Sequence, residues 1–264
     1  MSTMLCCEEA FALDTKLTGK VAVVTGGSSG IGQAIACAMA EEGADIAMCY
    51  LSNDSGAQET ARRVQASGRK FLSVKTDISQ RDQVDGFAGK VLETFGDVDI
   101  LVNNAGFIIR RSTFLELDEQ LWDDCMTLNL KSVYMCCQAF LPSLTRRPGG
   151  CIISMSSVAS RNGSPGQTIH YAVAKAGINT LTLGLAKEFG DKGLRVNAIA
   201  PGTVETPLLT KSDTPQDWFD GRLKNTILGR LGKPEEIAAM AVYLASDFGS
   251  FITGQVIDVN GGRF

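Results

Sequence analysis

Histidine occurs once in this chain of 264 residues, as His170. With no C-x-x-C pair among the eight cysteines, that scarcity excludes a Cys/His zinc cluster. An excess of one charge is also missing. The 25 basic and 29 acidic residues are interspersed and leave a net charge of −4. Such a balance offers neither a nucleic-acid footprint nor a basic membrane patch. No apolar run approaches the ~20 residues that span a bilayer. The stretch from Met1 to Glu9 has no basic start and no long apolar core, so it does not read as a secretory signal. Several cysteines lie in apolar segments, where a free thiol behaves as a small buried hydrophobe. That usage fits a reducing compartment, and the expected location is the cytoplasm.

What the chain does have is a steady alternation of strand and helix signals with no linker between them. It predicts one α/β domain over 17–264, behind a loose N-terminal extension at 1–16. The first strand, Val21 to Thr25, is short, apolar and rich in β-branched residues. Gly26, Gly27, Ser28, Ser29, Gly30, Ile31 and Gly32 follow, then a helical stretch from Gln33 to Ala40. Strand, glycine turn and helix form a dinucleotide-binding arrangement. Glycines admit a close pyrophosphate, and the helix N-terminus presents free N–H groups to it.

Tyr171 and Lys175 lie four residues apart in an Ala- and Leu-rich helical segment, Tyr171 to Leu185, so they share a face. A phenol titrates near pKa ~10, too high for proton transfer at neutral pH. A fixed ammonium beside it is expected to lower that value. Taken alone, the pair is more often an ordinary exposed one.

Together these motifs resemble the short-chain dehydrogenase/reductase family, in its classical subgroup, from about Leu17 to Gly262. Thr25-Gly26-x-x-x-Gly30-x-Gly32 matches its cofactor turn, and Asn103-Asn104-Ala105-Gly106 the end of its fourth strand. Asn129 matches its structural and proton-relay asparagine. Ser157, Tyr171 and Lys175 match its catalytic serine, tyrosine and lysine. Arg195 to Gly202 matches its sixth strand and the loop beside the nicotinamide.

The resemblance implies a Rossmann fold, a doubly wound seven-stranded parallel sheet in the order 3-2-1-4-5-6-7, with the cofactor at the switch point between strands 1 and 4. It implies an NAD(P)-dependent enzyme that moves a hydride between nicotinamide and a secondary alcohol or ketone. Tyr171 would exchange the proton and Lys175 would tune it. Ser157 would polarise the substrate oxygen, and Asn129 would hold a water leading from Lys175 to solvent. Ser154, Ser156 and Ser160 rival Ser157. The loop from Val158 to His170 is one residue longer than the family's common spacing, which keeps Ser156 open. A non-catalytic, cofactor-binding regulator or scaffold is the reading from another class.

Cofactor contacts are expected from Gly26, Ser28, Ser29, Gly30, Ile31 and Gly32, and from Tyr50, Leu51 and Ser52 after the second strand. Asp77 and Ile78, Asn104, Ala105 and Gly106, Tyr171 and Lys175, then Pro201, Gly202, Val204 and Thr206 complete the set. Asp77 and Thr206 also suit helix caps. No carboxylate stands at Tyr50 to bar a 2′-phosphate, and no arginine stands at Ser29 or Leu51 to bind one. Ser52 and Asn53 offer hydrogen bonds instead. The balance favours NADP(H), with NAD(H) as the alternative.

The stretch from Phe107 to Arg111 resembles that of gluconate 5-dehydrogenases and related sugar-acid oxidoreductases. Arg110 and Arg111 are candidates to grip a substrate carboxylate, with local acids such as Glu116 and Asp118 as competing partners. Arg161 and His170, and Trp218 in a family-type lid at 207–225, are further substrate candidates. The expected substrate is therefore a small molecule: a sugar, polyol or sugar acid. A 3-oxoacyl thioester of acyl carrier protein is the alternative, for which Phe107, Ile108, Leu208, Trp218 and Phe219 would line an acyl tunnel. The resemblance also implies a homotetramer built on the helices containing Glu119 and Tyr171 and on the last strand. A single helix is expected from Glu119 to Leu144, and a strand from Phe251 to Val259.

Overall fold

The structure is a computed structural model. It describes residues 15–146, 148–207, 209 and 216–263, with only the backbone of 216–218. Most of the expected N-terminal extension and the middle of the expected lid lie outside these residues.

Seven parallel strands among the described residues form one sheet, in the order β3-β2-β1-β4-β5-β6-β7. They are β1 (Val21–Thr25), β2 (Asp45–Tyr50), β3 (Phe71–Lys75), β4 (Ile100–Asn103), β5 (Cys151–Met155), β6 (Arg195–Pro201) and β7 (Val256–Val259). The order is the one the sequence predicted. Both faces are covered, because alternate residues of each strand point to opposite sides. Ala22 and Val24 of β1 pack with Ile35 and Met39 of α1 (Gly30–Glu41) and with Ile237 and Ala241 of α9 (Pro234–Ala245). Val23 points the other way. It joins Phe87 of α3 (Arg81–Phe95), Phe140 of α5 (Ser132–Leu144) and Ile178 of α7 (Ile169–Phe189).

The expected helix from Glu119 to Leu144 is not continuous. It runs as α4 (Glu119–Met126), a π-helical turn over Thr127–Lys131, then α5. The cause is Asn129, whose buried amide donates to the Cys125 carbonyl at 3.2 Å and to the Phe107 carbonyl at 3.1 Å. A side chain that takes an i−4 carbonyl from the backbone ladder widens the helix there. The last strand is shorter than expected. Gly254, at φ 71°, turns the chain first, and Phe251 stands fully exposed. α2 (Asp54–Ala66), the short α6 (Ala159–Asn162) and α8 (Gln216–Lys224) complete the described helices. None is long and apolar enough to cross a membrane.

Candidate active site

The carboxyl ends of the strands open into a cavity of about 850 Å³. Every residue expected to touch cofactor, from Gly26 to Thr206, lines it. The glycine turn is there because nothing larger fits. Gly30 has φ 53°, and a Cβ on Gly32 would lie 2.3 Å from the Gly26 carbonyl oxygen and from Asn104 Nδ2. Asn104 supports the turn from β4 by donating to the Thr25 and Gly26 carbonyls at 3.0 and 3.3 Å. The cradle thus fits an extended dinucleotide laid across β1 and β4.

On the adenine side, Asp77 does not cap the next helix, whose N-cap is Gln80. It accepts from the Ser79 N–H at 2.9 Å and lines the cavity. Asn53 has less to offer a phosphate than expected. Its amide donates to the Ser28 carbonyl at 3.0 Å, and its oxygen caps α2 by accepting from the Gly56 N–H. The Tyr50 hydroxyl donates to Asp54. Ser52 is exposed and lines the cavity.

The two rival serines separate clearly. Ser156 is buried and bonded to Asn179 Oδ1 at 2.6 Å, the Lys175 carbonyl at 3.3 Å and Ser160 Oγ at 3.3 Å. These bonds fasten β5 to α7. Both serines line the cavity, but only Ser157 hydrogen-bonds the Tyr171 phenol. Its oxygen accepts from the Ala159 N–H at 3.1 Å, which leaves its own O–H to donate.

Tyr171 and Lys175 project from α7, with the ammonium 5.5 Å from the ring centroid. Lys175 is buried and donates to the Met155 carbonyl at 2.8 Å. Burial pulls its pKa down from 10.5 to about 8. The expected depression of the phenol does not occur in this protein-only cavity. Burial outweighs the hydrogen bond from Ser157 and pushes Tyr171 up to about 12. Asn129 sits behind the cavity wall. A Cβ on Gly106 would meet its Oδ1 at 2.6 Å and Lys175 Nζ at 3.5 Å, so Gly106 marks where the amide and the ammonium approach one another. Asn129 Oδ1 is buried with no hydrogen-bond partner among the described residues.

The substrate candidates divide. Arg110 and Arg111 line the cavity, but Arg110 pairs with Asp118 at 2.7 Å and Arg111 donates to Gln167 at 2.7 Å. Arg161 is outside the lining, drawn to Asp258 at 3.0 Å and the Val256 carbonyl at 3.0 Å. Its expected substrate role is corrected to bracing β7. His170 is fully buried and bonds the Arg110 carbonyl at 3.2 Å, which makes it a support for that loop and not a cavity group. The side chain of Trp218 lies outside the described residues. Sequence reasoning passed over Thr203 and Arg263, and covered Leu209 and Arg222 only as part of the lid at 207–225; all four line the cavity. The adjacent Gly261 and Gly262 were the available signal that the chain turns back at its end. Among the described residues no group of three His, Cys, Asp or Glu could hold a metal.

The fold and the site together define a nicotinamide-dinucleotide oxidoreductase. A family model described as enoyl-(acyl carrier protein) reductase matches residues 26–263. A 3-oxoacyl-[acyl-carrier-protein] reductase FabG of Chlamydia trachomatis is 41% identical over 249 residues, covering 93% of this chain and 98% of that protein. The crystal structure of a Burkholderia cenocepacia short-chain dehydrogenase in complex with NADP aligns with a TM-score of 0.88 at 32% identity, over 94% of this chain and 98% of that one. A blue fluorescent protein from a metagenomic library, in complex with NADPH, aligns at 0.87 and 30%, again over 94% and 98%. The chain belongs to the short-chain dehydrogenase/reductase family. The narrower likeness to gluconate 5-dehydrogenases finds no specific support among these proteins.

Proposed function

We propose that the protein is an NADP(H)-dependent reductase of 3-oxoacyl thioesters. This reverses the preference for sugars and sugar acids. The observation that carries it is the pairing of the loop arginines. Arg110 with Asp118, and Arg161 with Asp258, leave those guanidinium groups already neutralised by the protein. An apolar set, Phe107, Ile108, Ile109, Leu128 and Leu209, lines the cavity alongside Arg110 and Arg111. The names of the FabG relatives and the NADP(H) complexes of the structural neighbours support the same reading.

A bound NADPH would supply the hydride, with the glycine turn, Asp77 and Thr206 among its holders. The chain's own residues manage the oxygen and its proton. Ser157 and Tyr171 present two O–H donors to the C3 carbonyl oxygen and hold it in place. As that oxygen gains charge, Tyr171 releases its proton onto it. The Lys175 ammonium steadies the phenolate left behind, and Asn129 is placed behind Gly106 to help return a proton toward Lys175. A phenol held protonated at neutral pH is the form a reductase needs.

The described cysteines are buried free thiols, which supports a reducing, cytoplasmic setting. Exposed Tyr134, Val173 and Leu183 on α5 and α7, and Phe251 before β7, support the expected homotetramer. A spectrophotometric panel tests the function. NADPH oxidation is expected with 3-oxohexanoyl thioesters. Turnover confined to polyols, aldoses or aldonates would return the reading to sugars.

A further inference from the structure

After β7 the chain reverses. Gly261 and Gly262 both take positive φ, 65° and 79°, and Asn260 Oδ1 accepts from the N–H groups of Gly262 and Arg263. Asn260 Nδ2 also donates to the Arg263 carbonyl at 2.6 Å. This clamp points Arg263 back into the molecule. Its side chain is only 7% exposed and lines the main cavity together with Thr203, Pro207 and Leu209.

The Arg263 guanidinium has one hydrogen-bond partner among the described residues, the neutral hydroxyl of Thr203 at 2.8 Å. No described carboxylate pairs with it. Every other arginine of the candidate loops has an acceptor of its own. A buried guanidinium carries five donors and a charge, and one hydroxyl does not compensate their removal from water. Arg263 lies beside the loop that begins at Pro201 and Gly202, which the family resemblance sets beside the nicotinamide.

We infer that Arg263 is a specificity-determining residue that binds a carboxylate on the acyl part of the substrate. The substrate class is then a 3-oxoacyl thioester whose chain ends in an acid. The inference rests on the proposed function for its thioester, but not for its carboxylate. Thr203 orients the guanidinium, and its remaining N–H groups form the charge-assisted pair.

A matched pair of thioesters, 3-oxohexanoyl and 3-oxoadipyl, differs only in a terminal methyl or carboxylate. The wild-type enzyme is expected to favour the acid in kcat/KM. Arg263→Gln, which can still reach Thr203, is expected to lower the acid-to-methyl ratio about 10-fold or more, as loss of a charged hydrogen bond does. A wild-type preference for the methyl-ended ester would overturn the inference. So would an unchanged ratio in Arg263→Gln, or a loss confined to NADPH affinity, which would move Arg263 to the cofactor. Calorimetry with adipate on the NADPH-loaded protein needs no reaction. Binding by the wild type that weakens about 10-fold in Arg263→Gln supports the inference even if neither thioester turns over, an outcome that would sink only the proposed function. No adipate binding by the wild type would overturn the carboxylate site.

Discussion

Lys175 Nζ donates to the Met155 carbonyl at 2.8 Å and so ties the middle of α7 to the end of β5. The same residue faces Tyr171, and burial holds its pKa near 8. In the folded state the charged form is therefore disfavoured. Its penalty is fully present below pH 8, fades as pH rises toward the unfolded value of 10.5, and is gone above it. Lys175→Met should accordingly stabilise the fold at pH 7 by about 1–2 kcal/mol, once the orphaned Met155 carbonyl is counted, while abolishing turnover. The gain should disappear near pH 10.5. Thermal melts of both proteins at the two pH values check this, and a lower melting temperature at pH 7 would contradict it.

The same shift governs the rate. Tyr171, held at about 12, stays protonated across the working range, so the alkaline limb belongs to Lys175. The reductive kcat should fall as pH rises through about 8, because a neutral amine no longer steadies the phenolate. A pH profile at saturating NADPH and substrate would show the limb. A rate flat to pH 10 would remove Lys175 from that task.

Much of this was legible in the sequence, for a physical reason. The glycine turn, Asn103 to Gly106 and the Tyr171–Lys175 spacing are local patterns, and backbone sterics fix their geometry within a few residues. The alternation of strands and helices pointed to a parallel sheet, and the strand order came from the family resemblance that these local motifs carry. What escaped depends on partners far apart in the chain. Arg161 meets Asp258, and Arg263 meets Thr203, only after the sheet has formed. The π turn at Asn129 depends on a carbonyl of Phe107, 22 residues away. The phenol's pKa depends on a contest between burial and charge that spacing alone does not decide. Proximity of Lys175 predicted a fall, and desolvation produced a rise.

Ser156 and Ser157 are neighbours with opposite assignments, and mutation separates them. Ser156→Ala removes the buried partner of Asn179 and should cost about 1–3 kcal/mol of stability with little change in kcat for the folded enzyme. Ser157→Ala should leave the melting temperature nearly unchanged and lower kcat by about 10²-fold or more, the loss seen when one oxyanion donor is removed. Tyr171→Phe should also lower kcat by about 10²-fold or more. Unfolding curves and steady-state kinetics on the three variants supply the comparison. A Ser156→Ala enzyme that is stable but inactive would exchange the two roles.

Gly32→Ala tests the cofactor cradle apart from the chemistry. The added methyl would lie 2.3 Å from both the Gly26 carbonyl oxygen and Asn104 Nδ2. Asn104 is held to the Thr25 and Gly26 carbonyls and cannot yield without opening the turn. The backbone N–H groups at the start of α1 would then be displaced from the pyrophosphate they are placed to meet. The expected result is a rise in the NADPH dissociation constant of about 10-fold or more, from ~1.4 kcal/mol or more of lost binding. Ser157→Ala, which is outside the expected cofactor contacts, should bind as the wild type does in the same titration. Quenching of intrinsic fluorescence by NADPH reads both. Unchanged affinity in Gly32→Ala would mean that the dinucleotide does not lie across the turn, and the assignment of the whole β1–α1 cradle would fall with it.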